Sequence, residues 1–260
     1  MGKFDGILFC TDFDGTFCVT DENCEAVRYF QANGGRFTVL SGRTPEFLAE
    51  HLTDVLPNAP LVGCNGALIR DHRSGALLYE GGRNDFAALE LVEPFWKQEQ
   101  CFTAILPFDK SGNGYRLARV AAQKDVLTME ELKRHITLPI YKVVCIMAQS
   151  EDAVLWRDRL QVLAGDRFEL SRSWPVGLEI SCTDANKGAA AKRLKEMLHA
   201  RVLVTAGDYE NDISMLRAAD IGYAVGNAEP SVKAAADRVT VDFREHAIAA
   251  IVDELDREFS

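Results

Sequence analysis

Ile7-Leu8-Phe9-Cys10-Thr11-Asp12-Phe13-Asp14-Gly15-Thr16-Phe17 is the stretch on which the fold turns. An apolar run this short, bounded by turn residues, reads as a buried strand. Asp12 and Asp14 then stand at the carboxyl end of that strand, the edge at which open α/β sheets carry their active sites. Two carboxylates at a buried edge are costly unless a metal or a reacting group uses them.

Working outward, Thr20 or Asp21 caps a helix running to about Ala32, which Gly34 and Gly35 end. Phe37 to Leu40 is a second buried strand, followed by a Ser41-Gly42-Arg43 turn. Thr44 caps the next helix with Pro45 at its first position, and Leu48, Leu52, Val55 and Leu56 form its apolar face. Leu61 to Cys64 is a third strand, and Asn65-Gly66 signals a hairpin. Strands and helices in alternation predict a parallel sheet with right-handed crossovers.

The middle of the chain has an α+β pattern. Strands are predicted near Phe102 to Leu106, Tyr141 to Met147, Phe168 to Ser171 and Leu178 to Cys182, with helices near Thr128 to His135 and Glu151 to Ala164. Ser111 to Arg116, reading SGNGYR, is predicted as a surface turn. The last third returns to the first style. Lys187 opens a helix that turns Ala191, Leu194, Met197 and Leu198 inward, Val202 to Ala206 is a buried strand, and Asn211 to Ala218 is helical. The expected organisation is an outer α/β domain of residues 1–82 and 183–260 that encloses an inserted domain of residues 83–182.

Composition narrows the class. The 260 residues carry a net charge of −10, which argues against a general nucleic-acid binder. Lys192, Arg193, Lys195 and Arg201 lie mostly on the polar face of one amphipathic helix and read as a solvated face. No apolar run approaches the roughly 18 residues needed to span a bilayer, and Met1 to Gly6 lacks the apolar core of a signal peptide. The seven cysteines are scattered, with no C-x-x-C, so reduced thiols in the cytoplasm are expected.

Asp12, Asp14, Ser41 and Asp208 all fall at predicted strand ends, with Lys187 at a helix start. Each has a plain structural explanation on its own: a turn cap, a turn residue, a solvated lysine. Together they make an acidic site beside a lysine and a hydroxyl. Asp208, Asn211 and Asp212 have the i, i+3, i+4 spacing that puts side chains near one helical face, and Asp208 could equally be a helix cap. Oxygen donors beside a carboxylate pair suit a hard cation such as Mg²⁺. Cysteine and histidine are missing from the set, which disfavours zinc.

Asp-x-Asp-Gly-Thr at Asp12 to Thr16, Ser41-Gly42-Arg43, Lys187-Gly188 and Gly207-Asp208-x-x-Asn211-Asp212 occur in the order that resembles the haloacid dehalogenase superfamily of phosphatases. The insertion between the second and third motifs resembles the large cap (type C2B) of the Cof-type, or type IIB, branch. Asn65-Gly66 and Val225-Gly226-Asn227-Ala228 also look like features of that branch.

The resemblance implies a Rossmann-like core and a Mg²⁺-dependent phosphatase acting on a small phosphorylated metabolite, with no nucleic-acid or membrane partner. It implies that Asp12 is the nucleophile, forming an aspartyl-phosphate, and that Asp14 is the acid and base. Lys187 would neutralise the phosphoryl oxygens, which Thr16, Ser41, Gly42, Arg43 and Asn211 would also contact. Asp12, the Asp14 carbonyl and Asp208 would hold the metal, with Asn211 and Asp212 as further ligands or water holders. The insert would cover the site and select the leaving group, with Arg172, Trp174 and Glu179 as candidate contacts or as ordinary cap packing. A phosphomutase or a non-catalytic phosphometabolite sensor on the same scaffold are the alternatives.

Overall fold

The computed structural model describes residues 2–112, 114–119 and 125–259. Asn113, inside the SGNGYR turn, lies outside the described residues. Contacts divide the chain into two compact units, Met1–Glu80 with Lys187–Ser260, and Gly81–Asn186.

The first segment of the first unit holds β1 (Ile7–Thr11), α1 (Asp21–Ala32), β2 (Arg36–Val39), α2 (Pro45–His51), β3 (Leu61–Gly63), β4 (Leu68–Arg70) and β5 (Leu77–Glu80). The second unit holds α3 (Ala87–Gln98), β6 (Phe102–Asp109), β7 (Arg116–Ala118), β8 (Asp125–Val126), α4 (Met129–His135), β9 (Ile140–Met147), α5 (Ser150–Ala164), β10 (Phe168–Trp174) and β11 (Gly177–Cys182). The first unit resumes with α6 (Lys187–Met197), β12 (Val202–Gly207), α7 (Ile213–Ala218), β13 (Ile221–Ala224), α8 (Pro230–Lys233), β14 (Arg238–Val239) and α9 (Ala247–Glu258).

In the first unit the strand order is β14-β13-β12-β1-β2, with every pair parallel. β1 is central because both of its faces are apolar. Ile7 and Phe9 pack with Phe30, Phe37, Ile251 and Leu255 on one side of the sheet. Leu8 and Cys10 pack with Leu40, Ala190, Leu194 and Leu203 on the other. A strand buried on both faces loses the polar alternation of a half-exposed one, which is why Ile7 to Cys10 reads as a continuous run. Thr20 and Thr44 cap their helices through bonds from the amides of Asn23 and Phe47.

Some local expectations for the first unit are corrected. β3 belongs to a separate antiparallel sheet with β4 and β5, and touches the main sheet through one parallel bridge, Leu40 to Val62. The cause is the turn after it, where Cys64, Asn65 and Gly66 have φ of 51°, 58° and 110° and fold the chain straight back. Leu56 is 61% exposed, because α2 stops at His51 and the helical period does not reach it. Met197, in the last turn of α6, is likewise exposed rather than inward.

The second unit is a six-stranded sheet in the order β10-β11-β9-β6-β7-β8, antiparallel except for β7 and β8. Arg116, placed by its sequence in a turn, begins β7. One sheet face packs on α3, α4 and α5 around Trp156, whose ring lies 5.1 Å from that of Phe102. Among the described residues no helix is long and apolar enough to cross a membrane, and all seven cysteines are free.

Candidate active site

The carboxyl ends of β1, β2 and β12 lie side by side, because Thr11 pairs with Val39 on one flank and Ala206 on the other. The Asp12 amide donates to Ala206 O at 2.9 Å, fixing where the chain leaves β1. Gly15 follows with φ of +81°, and a Cβ there would meet Asp208 Oδ2 at 2.5 Å. Glycine is therefore needed twice over, for the left-handed backbone and for the close approach.

Asp12, Asp208 and Asp212 each offer a carboxylate oxygen, and these atoms lie within 4.8 Å of one another. Lys187, fully buried at the start of α6, places Nζ 2.6 Å from Asp12 Oδ1 and 2.6 Å from Asp212 Oδ1. Burial alone would lower the Lys187 pKa, but the two carboxylates reverse the sign and hold the ammonium charged. Burial, Asp212 and Asp208 together outweigh Lys187 and hold the Asp12 carboxyl well above the usual carboxylate range. Burial and then Asp212 push Asp208 up to about 7, against the opposing hydrogen bond from Thr16.

Those directions follow from a charge count. Ionising all three carboxylates beside one ammonium would leave two negative charges in a desolvated place, and one divalent cation would balance them. The donors are all hard oxygens, as Mg²⁺ requires. Asp12 spends Oδ1 on Lys187, and Asp208 spends Oδ1 on Thr16, whose hydroxyl lies at 2.9 Å. Asp212 is differently employed. Its Oδ2 accepts from the amides of Asp208 (2.9 Å) and Tyr209 (3.0 Å), and its Oδ1 accepts from Lys187. Asp208 thus sits in the loop after β12, and Asp212 reaches back to it across a short 3₁₀ turn, so the three residues do not form one helical face. Asn211 Oδ1 is buried without a hydrogen-bond partner, as a ligand or water holder beside a cation would be.

Ser41 is buried, and its Oγ accepts from the Arg43 amide at 3.1 Å, with Gly42 in the bend between them. Arg43 reaches Asp14 with Nε–Oδ2 at 2.9 Å and Nη2–Oδ1 at 3.3 Å, both side chains being half-exposed. In the second unit Glu179 forms a buried pair with Lys142 at 2.7 Å, and Arg172 and Trp174 lie on β10. Of the basic residues in or near α6, Lys195 pairs with Asp220, Arg193 lies over the Tyr79 ring, and Arg201 donates to Asp5 O.

Two asparagines near the site have no catalytic or ligand role in the sequence reading, which marks them only as a hairpin signal and as features of the branch. Asn65, left-handed and buried, gives its amide to Ser41 O at 2.9 Å and faces Asn211 at 3.4 Å. Asn227 donates to Gly15 O at 2.8 Å. Their signal in the chain is Asn65-Gly66 and Val225-Gly226-Asn227-Ala228.

A family model described as haloacid dehalogenase-like hydrolase matches residues 9–252. The phosphatase YwpJ of Bacillus subtilis is 44% identical over 79 residues, which span 30% of this chain and 28% of that protein. The 5-amino-6-(5-phospho-D-ribitylamino)uracil phosphatase YcsE of Bacillus subtilis is 23% identical, over 94% of each chain. The solved structure of a haloacid dehalogenase subclass IIB sugar phosphatase superposes with a TM-score of 0.76 at 19% identity, covering 96% of this chain and 98% of that one.

Proposed function

The chain belongs to the haloacid dehalogenase-like hydrolase family, as a phosphatase of its Cof type acting on phosphate monoesters, and from that premise we propose that it transfers the phosphoryl group of a small hydroxylated metabolite to Asp12 and then to water. The observation that carries the proposal is Lys187 bridging Asp12 and Asp212 at 2.6 Å each, beside Asp208. In this reading Asp12, Asp208 and the Asp14 carbonyl would hold Mg²⁺, with Asn211 next to them and Asp212 as their brace. Bound there, the ion would offset the repulsion between an attacking carboxylate and a phosphate dianion.

Asp12 attacks phosphorus, forming an O–P bond as the ester O–P bond breaks, and splits one slow hydrolysis into two steps. Lys187 neutralises the phosphoryl oxygens, where charge builds in the transition state. Ser41, Gly42 and Asn211 are assigned to the same oxygens, and the Thr16 hydroxyl to Asp208. Asp14 gives its proton to the leaving oxygen and later takes one from the attacking water. Arg43 must release Asp14 for the first of these steps, and an ion pair exposed on both sides opens at little cost. Selection of the leaving group is assigned to the insert. Both a sugar phosphatase and a ribityl-phosphate phosphatase among the similar proteins favour a polyhydroxylated leaving group. A cytoplasmic setting suits seven free thiols.

The test is phosphate release from a panel of sugar and polyol phosphates, with and without Mg²⁺, by wild type and Asp12→Asn. Metal-dependent release by wild type, and none by Asp12→Asn, is expected. Release by Asp12→Asn at the wild-type rate rules out the nucleophile.

A further inference from the structure

Val225-Gly226-Asn227-Ala228 takes no part in the chemistry above, yet the loop it forms after β13 is tied to both carboxylate loops. The Val225 amide donates to Gly207 O at 3.2 Å, and the Glu229 amide donates to Asp208 O at 3.1 Å. Asn227 reaches the other way, from Nδ2 to Gly15 O at 2.8 Å. Its carboxamide is anchored behind, where Oδ1 accepts from the Phe243 amide at 3.1 Å. The Gly226 amide joins the same anchor through Val241 O at 2.8 Å.

Gly15 and Thr16 in turn touch Asp208, by the close approach at Gly15 and the 2.9 Å bond from Thr16. One loop therefore holds the Asp12–Thr16 turn by a side chain and Asp208 by a backbone amide. We propose that Asn227 is a positioning residue, which sets the approach of the Asp12–Thr16 turn to Asp208 and so the gap between the two carboxylates that receive a divalent cation. The inference rests on the metal reading above, and it concerns how well formed the gap is before the ion arrives. Partners that orient a metal's own ligands commonly contribute ten- to hundredfold in affinity or activity.

The test uses Asn227→Ala and the near-isosteric Asn227→Leu, with Val232→Ala as the control. Val232 is fully buried on α8 and packs with Val225 and Ala228, so its truncation lowers stability and loosens the packing of the same loop while leaving both hydrogen bonds of Asn227 in place. Mn²⁺ binding to the metal-free, folded proteins is measured by titration calorimetry, alongside kcat and KM for one accepted substrate. Expected are a roughly ten- to hundredfold weaker Mn²⁺ affinity in both Asn227 variants, and a fall in kcat that exceeds any rise in KM. Val232→Ala should lose melting temperature but keep wild-type affinity. Asn227 variants that bind Mn²⁺ within about twofold of Val232→Ala would overturn the proposal, as would a control that loses affinity equally. A wild type that binds no Mn²⁺ removes the metal reading itself. Should one Asn227 variant fail to fold, the other decides.

Discussion

Lys187 and Asp212 form a fully buried ion pair at 2.6 Å, although 25 residues separate them in the chain. The pair does more than balance charge, since Asp212 also takes the amides of Asp208 and Tyr209. Asp212→Ala would take one acceptor from three donors at once, the Lys187 ammonium and the amides of Asp208 and Tyr209. Lys187 keeps Asp12 as its partner, so the cost is that of two backbone amides deprived of this acceptor, about 1–3 kcal/mol each. Urea unfolding of the metal-free protein should show a loss of that order, and a loss below about 1 kcal/mol would contradict the brace assigned to Asp212.

Thr16→Val keeps the side-chain shape and removes the hydroxyl that donates to Asp208 Oδ1. Stability should change by no more than about 1.5 kcal/mol. Mn²⁺ affinity should fall by about tenfold or more, because the ligand is no longer oriented. Calorimetric titration of the variant against wild type checks this, and equal affinities would show that the hydroxyl is needed elsewhere.

Gly15→Ala asks one residue to adopt φ of +81° with its Cβ 2.5 Å from Asp208 Oδ2. Left-handed strain of this kind costs about 1–3 kcal/mol. The carboxylate is also pushed from its place, so activity should fall more than stability does. Melting curves and turnover measured on the same preparation test the pairing of effects.

Asp14→Asn separates proton transfer from phosphoryl transfer. With a sugar phosphate, whose alkoxide leaves poorly, kcat should drop by about 10²–10⁴-fold. With an aryl phosphate, whose phenolate needs no proton to leave, formation of the phosphoenzyme should be affected far less. Rapid-quench measurement of both half-reactions checks the contrast, and an equal loss with both substrates would count against the acid role.

Asp220 supplies a prediction about stability and pH. Burial tends to raise its pKa, but Lys195 and the Leu203 amide, each at 2.6 Å, prevail and hold the carboxyl below its ordinary value. The unfolded chain therefore binds that proton more readily than the folded one. The stabilisation is present above the unfolded value of about 3.9 and disappears as pH falls through the lower folded value. Asp220→Asn should melt slightly below wild type at pH 7, by about 1–3 °C for a half-exposed pair. The difference should close below about pH 4. A gap that widens in acid would reverse the sign assigned here.

How much of this was legible in the sequence depends on the range of the forces involved. β1 was readable because a parallel strand covered on both faces leaves an unbroken apolar run, Ile7 to Cys10. The caps at Thr20 and Thr44 were readable because the bonds they make span three residues. Leu56 was misplaced because nothing in its own period reveals where α2 stops. The burial of Lys187 could not be read locally, since a lysine opening a polar helix looks like any solvated one and its partner Asp12 lies 175 residues away. Asn227 and Gly15 are 212 residues apart. Asn65 was seen as a turn residue, and its buried side chain follows from three consecutive left-handed residues that only the folded chain displays.

The pairing of Ile7 with Val202 also has a consequence for biosynthesis. At roughly 5–20 residues per second, a ribosome makes β12 on the order of ten to forty seconds after β1. Throughout that interval the strand that will become the centre of the sheet lacks one of its two neighbours, and every strand of the second unit is translated before that neighbour is. Nascent chains of this protein should therefore depend on holdase chaperones for the β1 segment until β12 has emerged.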